Sequence, residues 1–103
     1  VARTAHRNSL RYVGQTHVYS IKGPGGFFKI GESARGFRVL DGASIRAEQQ
    51  ARRLFRKTGD VYETQILRVF SSKAAARGYE TAAIERFRRM FGADALPGNL
   101  TNR

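Results

Sequence analysis

Thr16-His17-Val18-Tyr19-Ser20-Ile21-Lys22 runs into Gly23-Pro24-Gly25-Gly26 and then into Phe27-Phe28-Lys29-Ile30-Gly31. The outer two stretches are rich in β-branched and aromatic residues, which suit a pleated, half-buried backbone. Between them, proline fixes φ and the glycines permit positive φ, so the chain must reverse there. The reading is a β-hairpin, and it decides the fold. In a hairpin of normal register, Tyr19 and Lys29 project to the same face of the sheet.

Working outward, residues 1–15 carry Arg3, Arg7 and Arg11 with little periodicity and read as a basic arm. Downstream, a Gly-containing loop is expected from Glu32 to Ala43. Ala47, Ala51, Leu54 and Phe55 then recur at helical spacing, with Arg46, Arg53 and Lys57 on another face. Ser44 is the expected N-cap of this helix and Gly59 its stop. Val61 to Phe70 reads as a third strand. A last helix is expected from about Ser72 to Gly92, with Ala76, Ala83, Ile84, Phe87 and Phe91 on its buried face. Leu96 to Leu100 is turn-like. The order is β-β-α-β-α, a single α+β domain over 1–103 with a small three-stranded sheet covered by helices.

Charge narrows the partners. Lys and Arg total 19 against 8 for Asp and Glu, a formal net charge of +11 on 103 residues. Arginine forks suit phosphate oxygens, and the charge is spread along the chain instead of lying on one amphipathic helix. Nucleic acid is therefore expected before a membrane surface. No apolar run approaches membrane-spanning length. The chain has no cysteine, so disulfides and thiolate zinc sites are excluded.

Glu80 is the first candidate for chemistry. Ala76, Ala83, Ile84 and Phe87 lie at i−4, i+3, i+4 and i+7 from it, which puts a carboxylate in an apolar stripe. Such a group needs a cation, a metal or hydrogen-bond donors. Either a structural partner or a functional one meets that need. Glu85, by contrast, has Arg88 and Arg89 one turn on and reads as a surface pair. Among other candidates, His6 and His17 offer an acid–base pair for a metal-independent ribonuclease. The glycines at 23–26 lead into a strand, so they read as a turn and not as a phosphate cradle.

His17-Val18-Tyr19, the short turn, and Lys29-Ile30-Gly31 together resemble the two-part signature of the GIY-YIG nucleases. His17 stands where that family has Gly, and Lys29 where it has the second Tyr. The family also has an Arg at or near the first helix, a Glu on a later helix with an apolar residue four on, and a late Asn. Arg38 suits the first, with Arg35 as competitor. Glu80 followed by Ile84 suits the second. Asn99 suits the third, with Asn102 as the alternative. The resemblance spans about residues 16 to 102.

It implies an endonuclease that hydrolyses DNA phosphodiester bonds, with RNA as a further substrate class. One divalent ion, Mg or Mn, would bind at Glu80. Tyr19 would help to deprotonate water, and Lys29 would assist Tyr19 or the phosphate. Arg38 would steady transition-state charge, and Asn99 would orient the site. Arg35, Arg46, Arg53 and Lys57 are the expected nucleic-acid contacts, and no small-molecule cofactor is expected. Beginning at Val1 and ending soon after Asn99, the chain is also similar to C-terminal toxin domains of secreted bacterial effectors. That implies action in a target cell's cytoplasm and an acidic immunity protein as partner. The alternative is a non-catalytic basic module that binds nucleic acid.

Overall fold

The computed structural model describes residues 13–100, so most of the expected arm, His6 and Asn102 lie outside the described residues. The elements are β1 (Val13–Gly23), β2 (Gly26–Ser33), α1 (Ile45–Thr58), β3 (Glu63–Ser72), α2 (Lys73–Phe91) and a 3-10 turn at Pro97–Asn99. All pairings are antiparallel, and the sheet order is β2-β1-β3. The α+β class and the β-β-α-β-α order are therefore as expected.

Boundaries shift for reasons of pairing. β1 begins at Val13 and not at Thr16, because Val13 pairs with Ser72 at the far end of β3. β3 starts two residues late, at Glu63, since its ladder begins with Lys22↔Glu63. Val61 and Tyr62 have strand-like side chains but find no backbone partner on β1. In the turn, Gly23 faces Gly26, and Gly26 carries the positive φ of 111°.

Both helices are capped as their sequences dictate. Ser44 Oγ accepts from Ala47 N–H and Gly59 closes α1 in the left-handed region at φ 80°. Ser72 Oγ accepts from Ala75 N–H at the start of α2. Side-chain caps of this kind contribute about 1 kcal/mol each.

Alternation along β1 divides the core. Val18 packs with Ile30, Ala76, Ile84 and Leu96 on the side that α2 covers. Tyr19 and Ile21 pack with Ala47 on the side that α1 covers. Each buried aliphatic side chain contributes about 1.5–3 kcal/mol, so two small clusters on either side of one sheet suffice for a domain of this size. The expected apolar faces are cut short at their ends: Phe55 and Phe91 are exposed, and Gln50 is buried in their stead. No helix among the described residues is long and apolar enough to cross a membrane.

Candidate active site

Tyr19 pairs with Gly31 across the β1–β2 ladder, and Ile21 pairs with Lys29. Cross-strand partners share a face, so Tyr19 and Lys29 do project to the same side, as the hairpin reading required. Gly31 has a steric task. A Cβ there would lie 2.5 Å from Tyr19 Oη and 2.6 Å from its Cζ. Only glycine lets the phenol lie across β2 and reach the outer edge of the sheet. At that edge, side chains from both faces meet.

An open pocket of about 230 Å³ is found there. Tyr19 and Lys29 line it from the sheet, Arg46 from α1, Glu80 and Arg77 from α2, and Asn99 from the 3-10 turn. Four of the five expected catalytic side chains are thus together. The fifth, Arg38, is not. Its guanidinium is exposed and bonds Asp41, and it lies 3.7 Å from Glu48. The loop folds back on itself through Arg38 N–H to Ala43 O (2.7 Å) and Gly42 N–H to Arg38 O (2.8 Å). That fold keeps Arg38 beside Asp41. Arg35, its competitor, is exposed too and donates to Gln49 Oε1. Arg46, expected only to touch nucleic acid, lies in the pocket with Arg77. Arg53 and Lys57 lie exposed farther along α1.

The phenol is held by its neighbours. Gln50 lies on α1 one turn after Arg46. With its amide nitrogen toward Tyr19 Oη (2.9 Å), its oxygen accepts from Arg46 Nη2 (3.3 Å) and Lys29 Nζ (3.2 Å). The reverse orientation lets Tyr19 donate to Gln50 Oε1 but turns the amide nitrogen toward two cations. The first orientation satisfies every partner. Burial pushes the Tyr19 phenol up to about 12, with the Arg46 charge acting against that rise. Burial lowers the Lys29 ammonium below its ordinary value, and the Arg46 charge lowers it further.

Asn99 is committed to backbone. Its Nδ2 donates to Ile30 O (2.8 Å) and its Oδ1 accepts from Ile30 N–H (2.9 Å). It closes the free edge of β2 between Lys29 and Gly31, which is an orienting role.

Sequence reading missed a second carboxylate, Glu32. It accepts from Lys73 Nζ (2.6 Å) and Arg77 Nη2 (3.2 Å), and Lys73 is almost fully buried. Arg77 also lies 3.7 Å from Glu80 Oε1 and so bridges the two carboxylates. Part of the signal was local: Lys73, Arg77 and Glu80 recur at i, i+4 and i+7 on the face that carries Ala76.

His17 lies beside Tyr19, with ring centroids 6.0 Å apart, but does not line the pocket. It is 1% exposed, its Nε2 is 2.6 Å from Ser44 Oγ, and its ring packs on Phe37. Ser44 Oγ, which accepts from Ala47 N–H, is thereby bonded to the ring as well. The histidine supports a helix cap and cannot meet a substrate.

Oxygen donors at the pocket are few. Glu32 and Glu80 are the carboxylates that line it, and Arg77 reaches both. Among the described residues no group of three His, Cys, Asp or Glu side chains forms a metal cage. This donor set fits an ion such as Mg, which keeps most of its waters and takes one or two protein carboxylates. No family model, curated protein sequence or solved structure matches this chain.

Proposed function

We propose that this domain is a metal-dependent endonuclease of the GIY-YIG type acting on DNA. The observation that carries the reading is the convergence of Tyr19, Lys29, Arg46, Glu80 and Asn99 on one open pocket at the β2 edge. These side chains come from five separate elements. Packing alone gives no reason for a tyrosine, a lysine, an arginine and a carboxylate to share one opening. The net charge of +11 supplies attraction to a polyanionic strand.

In this reading Glu80 holds the divalent ion. When bound, the ion supplies charge stabilisation at the phosphate and at the leaving oxygen. Arg46 contacts the nonbridging phosphate oxygens in place of Arg38. Lys29 is the proton acceptor. Burial and the Arg46 charge lower its ammonium below the ordinary value, whereas burial raises the Tyr19 phenol. As the water oxygen bonds phosphorus, its proton passes to Lys29 in the fraction of molecules whose ammonium has lost its proton, the bond from phosphorus to the sugar oxygen breaks, and that oxygen takes a proton from solvent. Tyr19 stays protonated and orients that water. Its oxygen is occupied by donors, so its own hydrogen is free to point into the pocket. This gives the lysine at the second motif position a role of its own.

The test is cleavage of supercoiled plasmid at low salt with Mg or Mn, comparing the native chain with Glu80→Gln and Lys29→Met. Cleavage that is abolished by chelator and by either variant is expected. The native rate should rise with pH through an inflection below the ordinary lysine value. Unchanged cleavage in Glu80→Gln would sink the reading. Expression of the same pair in a bacterial cytoplasm tests the narrower toxin reading: arrest by the native chain and growth with Glu80→Gln are expected, and equal growth counts against it.

A further inference from the structure

A second opening adjoins the pocket and shares Lys29, Arg46 and Gln50 with it. It is a trough of about 450 Å³, within the range of small-molecule sites, about 300–1,000 Å³. Its two kinds of lining are separated. Ile21, Phe28 and Leu54 supply an apolar floor, and Lys29, Arg46 and Arg53 supply cations.

The aromatic ring in that floor is fixed in place. Tyr62 meets Phe28 edge-on, with centroids 5.6 Å apart and planes at 74°. Gly98 presses on it from the 3-10 turn: a Cβ there would lie 2.5 Å from Phe28 Cε2. Asn99, the next residue, fastens that turn to Ile30 on β2. Phe28 is therefore a preorganised platform and not a mobile surface side chain.

We propose that the trough is a one-nucleotide subsite that takes an unpaired base, with the adjoining phosphate held by Arg46 and Arg53. This rests on the nuclease reading only for what happens at the neighbouring pocket. The argument for an unpaired base is geometric. A continuous duplex presents phosphates outward and keeps base faces stacked, so it would satisfy the arginines and leave the apolar floor empty. A strand with an unstacked base satisfies both: the base lies on Phe28 beside Leu54, while its phosphate meets the cations. Stacking of this kind tolerates any base, because every base has a π face. The substrate class that follows is nucleic acid with a locally unpaired nucleotide, such as a bulge, a frayed end or a single strand.

The measurement is fluorescence anisotropy in excess EDTA, so that cleavage does not intrude. The probes are a fully paired DNA duplex, the same duplex with one extra unpaired thymidine, and the single strand. At equal salt, the two probes with unpaired bases should bind about tenfold more tightly than the paired duplex, the scale of one base–aromatic stack. Phe28→Leu should remove most of that preference, whereas Arg53→Gln should weaken all three probes alike. Equal affinity for all probes overturns the proposal, as does a preference that survives Phe28→Leu in a variant that melts like the native chain. If Phe28→Leu does not fold, the native chain still decides. A 5-iodouracil at the unpaired position, irradiated in the complex, should attach to the peptide containing Phe28, and attachment elsewhere overturns the subsite. Metal-dependent cleavage without the preference refutes the subsite alone. The preference without cleavage refutes the nuclease reading alone. Failure to bind any probe refutes both.

Discussion

Gly31→Ala tests the geometry on which the pocket depends. The new methyl carbon would stand 2.5 Å from Tyr19 Oη, 2.6 Å from Cζ and 3.0 Å from Cε1. Ordinary contact between such atoms is about 3.5–4.0 Å, so the phenol must move by about 1 Å. It has little room to do so, being 2% exposed and bonded to Gln50 at 2.9 Å. Overpacking a tight core costs about 1–3 kcal/mol. Losing the phenol's hydrogen bond adds about 1 kcal/mol. The sum is about 2–4 kcal/mol, which for a domain of this length lowers Tm by about 8–32 °C at about 4–8 °C per kcal/mol. A displacement of that size in the site should also lower cleavage by about a hundredfold. Both are read on one sample, by thermal melts in circular dichroism and by plasmid cleavage below the variant's Tm. Gly25→Ala is the internal control, because a Cβ there meets nothing within 4 Å. In a Tyr19→Leu background there is no phenol to strike, so adding Gly31→Ala should then cost little. Native-like melting and cleavage in Gly31→Ala, or a full additive cost in the double variant, would refute the reasoning.

Other perturbations separate orienting, supporting and reacting groups. Asn99→Ala strips partners from Ile30 N–H and C=O, each a buried group worth about 1–3 kcal/mol when orphaned. The urea midpoint should fall, and Ile30 N–H should lose protection from hydrogen exchange. Asn99→Asp should be no rescue, because it sets an oxygen against Ile30 O. Burial lowers the His17 pKa below 6.5, so the unfolded chain binds the extra proton first. The stability that neutral His17 contributes is complete above pH 6.5 and is lost as pH falls from there through the folded-state pKa. Glu32, the charged group that acts on the ring, opposes the lowering only in part. Thermal melts from pH 7.5 to 5 should show this slope, flattened in His17→Gln, and an equal slope in both proteins would refute it. Arg46→Ala should lower cleavage by about 10²–10³-fold, as for loss of a donor to transition-state charge. Arg38→Ala should leave it close to native, and the reverse ranking would restore Arg38 to the site.

What the sequence disclosed and what it hid divide by range. Caps, turns and the hairpin are local, and Ser44, Gly59, Ser72 and the glycines around Pro24 were legible because each acts within a few residues of itself. The start of β3 was misjudged because Val61 and Tyr62 have β-forming side chains, while the ladder with β1 begins only at Glu63. Tyr62 is used instead as packing, against Gly23 and Phe28. Arg38 was expected from its place ahead of the first helix, with Arg35 as competitor. Its neighbourhood held the contrary signal: Asp41 three residues on and Gly42 after it form a turn that occupies the guanidinium.

Arg46 and Glu32 were harder, and for different reasons. Arg46 falls on the first turn of a capped helix, and Gln50 follows it one turn later on the same face. That spacing is visible, but its meaning depends on Tyr19, which reaches Gln50 only because Gly31 opens the way. Glu32 is bonded to Lys73 and Arg77, 41 and 45 residues away, and no local pattern can pair them. Yet this pairing shapes the chemistry. Two unopposed carboxylates at the β2 edge would bind an ion tightly and repel a phosphate. With Lys73 and Arg77 bonded to Glu32, the opening carries more cations than carboxylates. An opening of that sign can accept a phosphodiester, and the balance is set in part by a lysine and an arginine 41 and 45 residues along the chain from the residue they serve.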